Sequence, residues 1–432
     1  MRPTLKVEIA LTTMPSETPV WTDVTAYVRA PMTITRGRQR ELDTIQCGTA
    51  TLVLDNRDRR FDPFNADGPY YGNLLPMRRV RIGATIPSTE LPDDQLVFGA
   101  SGDMGNRYWY LYSGFVETWN LENYIDGAQD GIVTVQLVDG FEPLSRAMLT
   151  GDFVQALSGV RIGAVLDAAN WTVGASWVVG SASNGRVGTM AVGPVGDRAL
   201  ADGISEVQAV SLAGTTALQH IQDVASAEGG LFFVSKTGVA TFYDRHRLLK
   251  EPFREPVAEL GDAGAAGEHA YSHLSYSYGC EWIYNDVVMQ AEGGDEQTAS
   301  DATSQARYLR RTLSQTGLLL VSDTEVATRA RFMLNRYRDP LVRFDSLELS
   351  GAIEAATWEA LLAMDMGDLL TVRHQPSGGG DPWEQDSVIQ GIKHEISVED
   401  WRVTMWLAPH HAGDFWLVGV AEVGGADMRP AW

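Results

Sequence analysis

The sequence predicts a mainly β protein of the α+β class, in which two β-barrel or sandwich-like modules flank a mixed α/β module. Three observations carry this prediction: alternating apolar residues before residue 147, helical spacing plus a hairpin between 147 and 262, and a return of alternation from 263 to 410. At 432 residues the chain is long enough for about three domains of roughly 150 residues each.

Residues 1–146 form the first module. Val7, Ile9 and Leu11, then Ala50, Leu52 and Leu54, then Val133, Val135 and Leu137 alternate as strands with one buried face. Turn-rich pieces separate them, among them Asp55-Asn56-Arg57-Asp58 and Asn65-Ala66-Asp67-Gly68-Pro69. Residues 86–110 mix Pro, Gly and acids with an aromatic cluster and read as a long loop or hairpin inserted in this module.

Residues 147–262 form the mixed module. GVRIGAVLDAANW has the spacing of a short amphipathic helix. In TTALQHIQDVASAEGG, Thr215 or Thr216 can cap a helix, Leu218, Ile221, Val224 and Ala225 share a face, and Gly229-Gly230 can end it. LFFVSKTGVATFYDR reads as a hairpin turning at Lys236-Thr237-Gly238.

Residues 263–410 form the second β module around one helix, roughly Asp323 to Arg338, which stops before Pro340. Residues 411–432 are an apolar tail without a second partner strand in sequence, of the kind that docks on its own domain or on a neighbouring subunit. A weak internal repeat links the two β modules. Pro76, Val80-Arg81, Gly114-Phe115-Val116 and Ile132 to Val138 follow the same plan as Gly367, Val372-Arg373, Gly391-Ile392-Lys393 and Trp401 to Leu407.

Composition narrows the function classes. With 44 % hydrophobic and 21 % charged residues, the chain can bury enough apolar area to fold. No stretch has the length of a membrane span and the first residues lack a signal-peptide core, so synthesis in a cytoplasm and no stable membrane insertion are expected. A net charge of −22 argues against a surface that tracks phosphates. Cys47 and Cys280, far apart, exclude a disulfide scaffold and are expected to be small, reduced core residues.

The search for chemistry yields no catalytic residue, no metal site and no cofactor site. His269 and His273 would meet across one helical turn, but no carboxylate stands at zinc spacing. His410-His411 reads as a solvated strand end, and His220 as a helix flank. The acids around Asp55 lack the calcium-loop pattern and favour local Asx turns. No phosphate loop, nucleophile elbow or dinucleotide fingerprint stands in a strand-to-helix context. The segment Arg36-Gly37-Arg38-Gln39-Arg40-Glu41 is the one run of purposeful charge, which leaves two readings for Arg36, Arg38 and Arg40: a subunit or tube contact, or a solvated strand end.

Several short motifs in a fixed order resemble a known family. Asp23-Val24-Thr25, Tyr27-Val28, Arg36-Gly37-Arg38, Gly48-Thr49-Ala50-Thr51-Leu52, Leu54-Asp55-Asn56, Phe61-Asp62-Pro63 and Leu74-Leu75-Pro76-Met77-Arg78 resemble the opening of actinobacteriophage minor tail proteins of the baseplate-hub or tail-tip type. Glu228-Gly229-Gly230, Asp244-Arg245, Tyr284-Asn285-Asp286-Val287 and Gly391-Ile392-Lys393-His394 continue the likeness.

The resemblance implies a structural, non-enzymatic protein of the virion tail tip: a homotrimeric ring around the DNA exit channel, made in the host cytoplasm. The implied partners are other copies of itself, the distal tail or tube ring, the tape measure protein, and other minor tail or fibre proteins, with DNA only in passage. A distal tail adaptor ring, a receptor-binding module and a cell-wall-degrading enzyme are the alternatives. If DNA passes through, the excess of acids is expected to line the lumen.

Overall fold

In the computed structural model the described residues are 2–87, 106–123, 131–171, 198–250 and 252–410, with Phe415–Trp416 and Arg429–Pro430 described as strands. The first seven strands are β1 (Thr4–Ile9), β2 (Thr22–Asp23), β3 (Val28–Gly37), β4 (Gln46–Asp55), β5 (Arg79–Pro87), β6 (Asn106–Asn123) and β7 (Gly131–Val138). Alternation decides their faces. Ala50, Leu52 and Leu54 of β4 are buried against Val133, Val135 and Leu137 of β7, while the residues between them point the other way.

The middle of the chain holds α1 (Phe141–Arg146), β8 (Met148–Phe153), β9 (Ala156–Leu157), α2 (Ser158–Ala168), β10 (Arg198–Leu200), β11 (Glu206–Val207), β12 (Val210–Thr216), α3 (Ala217–Glu228), β13 (Leu231–Val234) and β14 (Ala240–Tyr243). Helix α3 starts where the Thr216 side chain accepts a hydrogen bond from the Gln219 N–H, and stops at Gly229 with φ 74°, a left-handed value that suits glycine. The hairpin β13–β14 turns at Lys236-Thr237-Gly238 as expected.

The remainder consists of β15 (Ala258–Gly261), β16 (His269–Ala270), β17 (His273–Ser277), β18 (Asp286–Ala291), β19 (Glu296–Ser300), α4 (Ala302–Tyr308), β20 (Thr312–Leu318), α5 (Asp323–Tyr337), β21 (Arg343–Leu349), α6 (Ala355–Ala363), β22 (Leu369–His374), β23 (Trp383–Ile396) and β24 (Trp401–Pro409). Where the sequence announced one helix, α5, the structure adds α4 and α6. Helix α4 has no apolar stripe and is held by Asp301, whose carboxylate accepts from the N–H groups of Thr303 and Ser304. Helix α6 is apolar nearly all round, so its 3.6-residue period is faint.

Fourteen strands join in one sheet, and its wiring is duplicated. In the first half β1 pairs with β2 and β5, then β5 with β6, β6 with β7, β7 with β4 and β4 with β3. In the second half β15 pairs with β16 and β22, then β22 with β23, β23 with β24, β24 with β21 and β21 with β17. The order of connections is the same, strand for strand. The halves differ in that β15 runs parallel to β16 and β22, whereas β1 is antiparallel to its partners. They differ also in that β18, β19, α4, β20 and α5 are inserted between β17 and β21.

Backbone detail fixes the register of this repeat. Met77, at φ 62°, donates its N–H to the Val116 carbonyl, and Gly367, at φ 81°, donates to that of Ile389. Val116 in turn donates to Arg78, and Ile389 to Asp368. A bulge follows at once in both long strands, between Val116 and Thr118 and between Ile389 and Gly391. Met77 therefore corresponds to Gly367, Val116 to Ile389 and Thr118 to Gly391. The repeat expected from sequence is present, but its residue alignment moves: Val80 matches Leu370 and not Val372, and Gly114 matches Ser387 and not Gly391.

Hydrophobic side chains gather in two large cores. One lies under the long sheet and takes residues from both halves, from Val7 to Leu407, with α6 packed into it. The other joins the middle of the chain to the insertion, bringing Ile162, Ile221 and Phe233 together with Val287, Leu320 and Met333. At the ends of the 86–110 stretch β5 and β6 pair out to Pro87 and Asn106, which makes it a hairpin; residues 88–105 lie outside the described residues. The Gly/Ser/Ala-rich residues 172–197 also lie outside them. In the tail, β25 (Phe415–Trp416) pairs in parallel with β26 (Arg429–Pro430), so the tail supplies its own partner strand.

Candidate functional site: the open face and edges of the long sheet

Eight strands run side by side in the order β6-β7-β4-β3-β23-β24-β21-β17. One face of this run covers the first core. The other presents the alternate residues: Thr118, Asn120 and Glu122 of β6, Thr134 and Gln136 of β7, Thr49 and Thr51 of β4, Thr33 and Thr35 of β3. It continues through Lys393 and Glu395 of β23, Arg402 and Thr404 of β24, Glu348 and Ser346 of β21, and Ser275 of β17. Val53, Ile132 and Trp406 are the apolar members.

Hydroxyls and amides dominate this face, and its charges compensate one another. Lys393 pairs with Glu395 at 2.9 Å and Arg402 with Glu348 at 3.1 Å, while Thr51 donates to Gln136 at 2.9 Å. Asp55, next in the β4 alternation, pairs with Arg29 at 2.9 Å, so among the described residues Asp55, Glu122, Glu348 and Glu395 stand with Arg29, Lys393 and Arg402.

At the middle of the run β3 and β23 join the two halves, with Gly37 opposite Gly391 and Met32 opposite Ile396. The strands approach so closely that a Cβ on Gly37 would lie 2.4 Å from the Gln390 carbonyl oxygen, and Gly37 sits at φ 92°. A buried ionic knot pins the joint. The Arg36 guanidinium meets Asp365 at 2.6 Å, and the other Asp365 oxygen accepts the Lys236 N–H at 3.0 Å. The Lys236 ammonium donates to the carbonyls of Leu362, Ala363 and Met364, the last turn of α6, where the helix dipole favours a cation.

Burial shapes the protonation of this knot. It pushes Lys236 down to about 8 despite Asp365. Burial alone would raise the Asp365 carboxyl, but Arg36 and Lys236 hold it below the usual carboxylate range. Beside them His394 is driven down to about 3 by burial and by the charges of Arg36 and Lys236, and its Nδ1 accepts from Trp401 Nε1 at 3.3 Å.

The arginine segment is thus divided among three environments. Arg36 is buried in the knot; Arg38 is half-buried, donating to Gln390 at 2.9 Å and to the Asp43 carbonyl; Arg40 is exposed and faces Glu281 at 2.7 Å. Glu41, the last of the segment, is half-buried and pairs with both Arg336 and Arg343.

Other candidates resolve as structure. Asp55, Asp58 and Asp62 accept from the N–H groups of Arg57, Arg60 and Phe64, the expected Asx turns, and pair with neighbouring arginines. His269 and His273 lie on strands and not on a helix, and His269 contacts the Thr357 hydroxyl. His220 is not at a flank: it is buried, 3.4 Å from Arg161, and burial pushes it down to about 4. Nor are the cysteines core residues, since Cys280 is exposed and Cys47 half-buried against Asp139.

Among the described residues no group of three His, Cys, Asp or Glu side chains could hold a metal ion, and no helix is long and apolar enough to cross a membrane. A groove of about 300 Å³ beside β23 is lined by Leu5, Val28, Met32, Ile396 and Trp401 together with Arg2 and Arg29.

No family model matches this chain, and no curated protein matches it. Solved structures do. The tail protein from Neisseria meningitidis MC58 is similar with a TM-score of 0.54 at 9 % identity, over 94 % of this chain and 96 % of that one. The 43 kDa tail protein of prophage MuSo2 from Shewanella oneidensis is similar with a TM-score of 0.52 at 10 % identity, over 94 % and 98 %. The fold, mainly β with a large mixed sheet, is thus one found in phage tail proteins.

Proposed function

We propose that this chain is a structural ring component of a phage tail tip, a hub between the tail tube and the distal or fibre components. The observation that carries this reading is the duplicated seven-strand unit joined edge to edge, with a hydroxyl-rich face along the joint that lies opposite the first core. Two like units per chain let three copies present six similar units around an axis, which matches a three-fold part to a six-fold tube. A distal tail ring needs only one such unit, so the duplication favours the hub.

In such a ring the open face lines the lumen, because the opposite face is occupied by the first core. DNA then meets hydroxyls, amides and neutralised ion pairs. Few free cations are available to displace counterions from phosphates, so passing DNA is not held. Tube or distal ring, tape measure and fibre proteins are the partners proposed for the ring's outer and end surfaces, with Arg40 among the contacts. No enzymatic step is part of this role.

Imaging assembled tails with this chain traced in them tests the proposal. The expected result is three copies around the axis with Thr51, Thr134 and Thr404 facing the lumen. Six copies, or this face turned outward, would overturn it.

A further inference from the structure

The repeat matches two tryptophans whose burial differs. By its register the pair Ala84 and Trp109 of β5 and β6 corresponds to His374 and Trp383 of β22 and β23. Trp109 is 7 % exposed and belongs to the first core, whereas Trp383 is 43 % exposed. Tyr276 of β17, 45 % exposed, lies against Trp383 with ring centroids 5.5 Å apart at 90°, and the two rings lie 5.4 and 5.8 Å from that of His374. Clustered exposed rings mark interaction sites, and Trp, Tyr and Arg are the side chains most enriched among interface anchors.

Carboxylates stand around this cluster. His374 Nδ1 meets Asp262 at 2.7 Å, Asp381 and Glu384 flank Trp383 in sequence, and Arg373, next to His374, is shared by Glu259, Glu268 and Glu384. Five carboxylates accompany the guanidinium of Arg373 here, so the surface attracts cations. The chain itself shows how rings and acids together hold one. The Arg343 guanidinium lies 4.4 Å over Trp282 while pairing with Glu41 at 2.7 Å, and that of Arg81 lies 4.4 Å over Trp21 while pairing with Glu8 at 2.5 Å. In both, a ring face and a carboxylate grip one planar cation.

We infer that Tyr276, His374 and Trp383, with Asp262 and Glu384, form a docking surface for an arginine-bearing segment of a partner protein. The rings supply the faces on which guanidinium groups stack, and the carboxylates take their N–H groups, the same two contacts that the chain makes at Trp282 and Trp21. A sugar would also stack on these rings, but it would make no use of the acid excess. The inference is drawn from features of a single chain and stands apart from the ring reading.

Calorimetric titration of the full chain with hexa-arginine, hexa-lysine and an N-acetylglucosamine trisaccharide tests it. Hexa-arginine should bind about fivefold or more tightly than hexa-lysine, whose ammonium groups lack the planar fork. Trp383→Ala should weaken hexa-arginine about tenfold, while Phe64→Ala, which removes a ring 84 % exposed elsewhere, should leave it unchanged. Asp262→Asn with Glu384→Gln keeps every ring in place and should also weaken it, whereas the same change of charge at the exposed Asp67 and Glu296 should not; this second comparison decides the matter where Trp383→Ala does not fold. Four outcomes overturn the inference. They are no binding of hexa-arginine, equal weakening by the two acid pairs, which would mean diffuse attraction to an acidic chain, trisaccharide binding that Trp383→Ala abolishes, and self-association of the chain that Trp383→Ala abolishes.

Discussion

The two halves of the long sheet have the same wiring and carry different loads. In the first half β3 and β4 are joined directly by the stretch 38–45, with no inserted element, and both edges of β3 are covered, by β4 and by β23. The second half has a five-element insertion between β17 and β21, and among the described residues its β17 pairs on one edge, with β21. The comparison teaches that strand order is a property of the repeat, whereas burial is a property of the neighbour. Glycine stands where the in-chain joint is tightest, at Gly37 and Gly391, and threonine stands at Thr118, the position that matches Gly391 in β6.

The sharpest way to break the comparison is to attack the knot, which the in-chain joint has at Arg36, Asp365 and Lys236. Asp365→Ala leaves two buried cations without their carboxylate, and should cost about 3–5 kcal/mol in urea unfolding. A loss under 1 kcal/mol would mean that the joint holds without its ionic pin.

Acid should distinguish the halves next. His394 lies at the joint, and the matching position in β6 is Leu121, which does not titrate. His394 and His220 have folded-state values pushed down to about 3 and about 4, below the ordinary 6.5. Their neutral forms favour folding, so that stability is complete above pH 6.5 and is lost as pH falls toward those values. Asp139 opposes this, since burial raises it to about 6 and its protonation adds stability as pH falls through that value. The net loss from pH 7 to 5 should be about 2 kcal/mol, and His394→Gln should remove most of it. Urea titrations at the two pH values check this; an unchanged slope in the variant would exclude His394.

Gly37→Ala forces a side chain against the Gln390 carbonyl at a left-handed φ, and about 1–3 kcal/mol of destabilisation is expected by thermal unfolding. Thr216→Ala, remote from the joint, removes only the α3 cap, for about 1 kcal/mol. If it cost more than Gly37→Ala, the close approach at the joint would be far softer than its geometry implies.

Local features were legible in the sequence: the alternation of β4 and β7, the Thr216 cap, the Gly229 stop and the Lys236-Thr237-Gly238 turn. All are set within a few residues of chain. What was not legible was set by distant partners. Arg36 read as a possible contact because its carboxylate, Asp365, lies 329 residues away. His220 read as a flank because nothing local announces the Arg161 and Phe153 that enclose it. The repeat was visible but misaligned, because Val-Arg pairs and lone glycines were taken as anchors, whereas the register is held by the backbone bonds of Met77 and Gly367. Helix α6 was hidden by being apolar nearly all round.

The pairing of β3 with β23 also has a consequence in time. These strands are separated by more than three hundred residues, and loop closure over such a distance is slow and contributes little until its contacts form. During synthesis β3 emerges early and presents its second edge unpaired until residues 391–396 leave the ribosome. In that interval it is a bare strand edge of the kind that aggregates. Chains cut short before β23 should therefore be trapped as insoluble species, and the yield of folded protein should depend on how quickly its last strands are delivered.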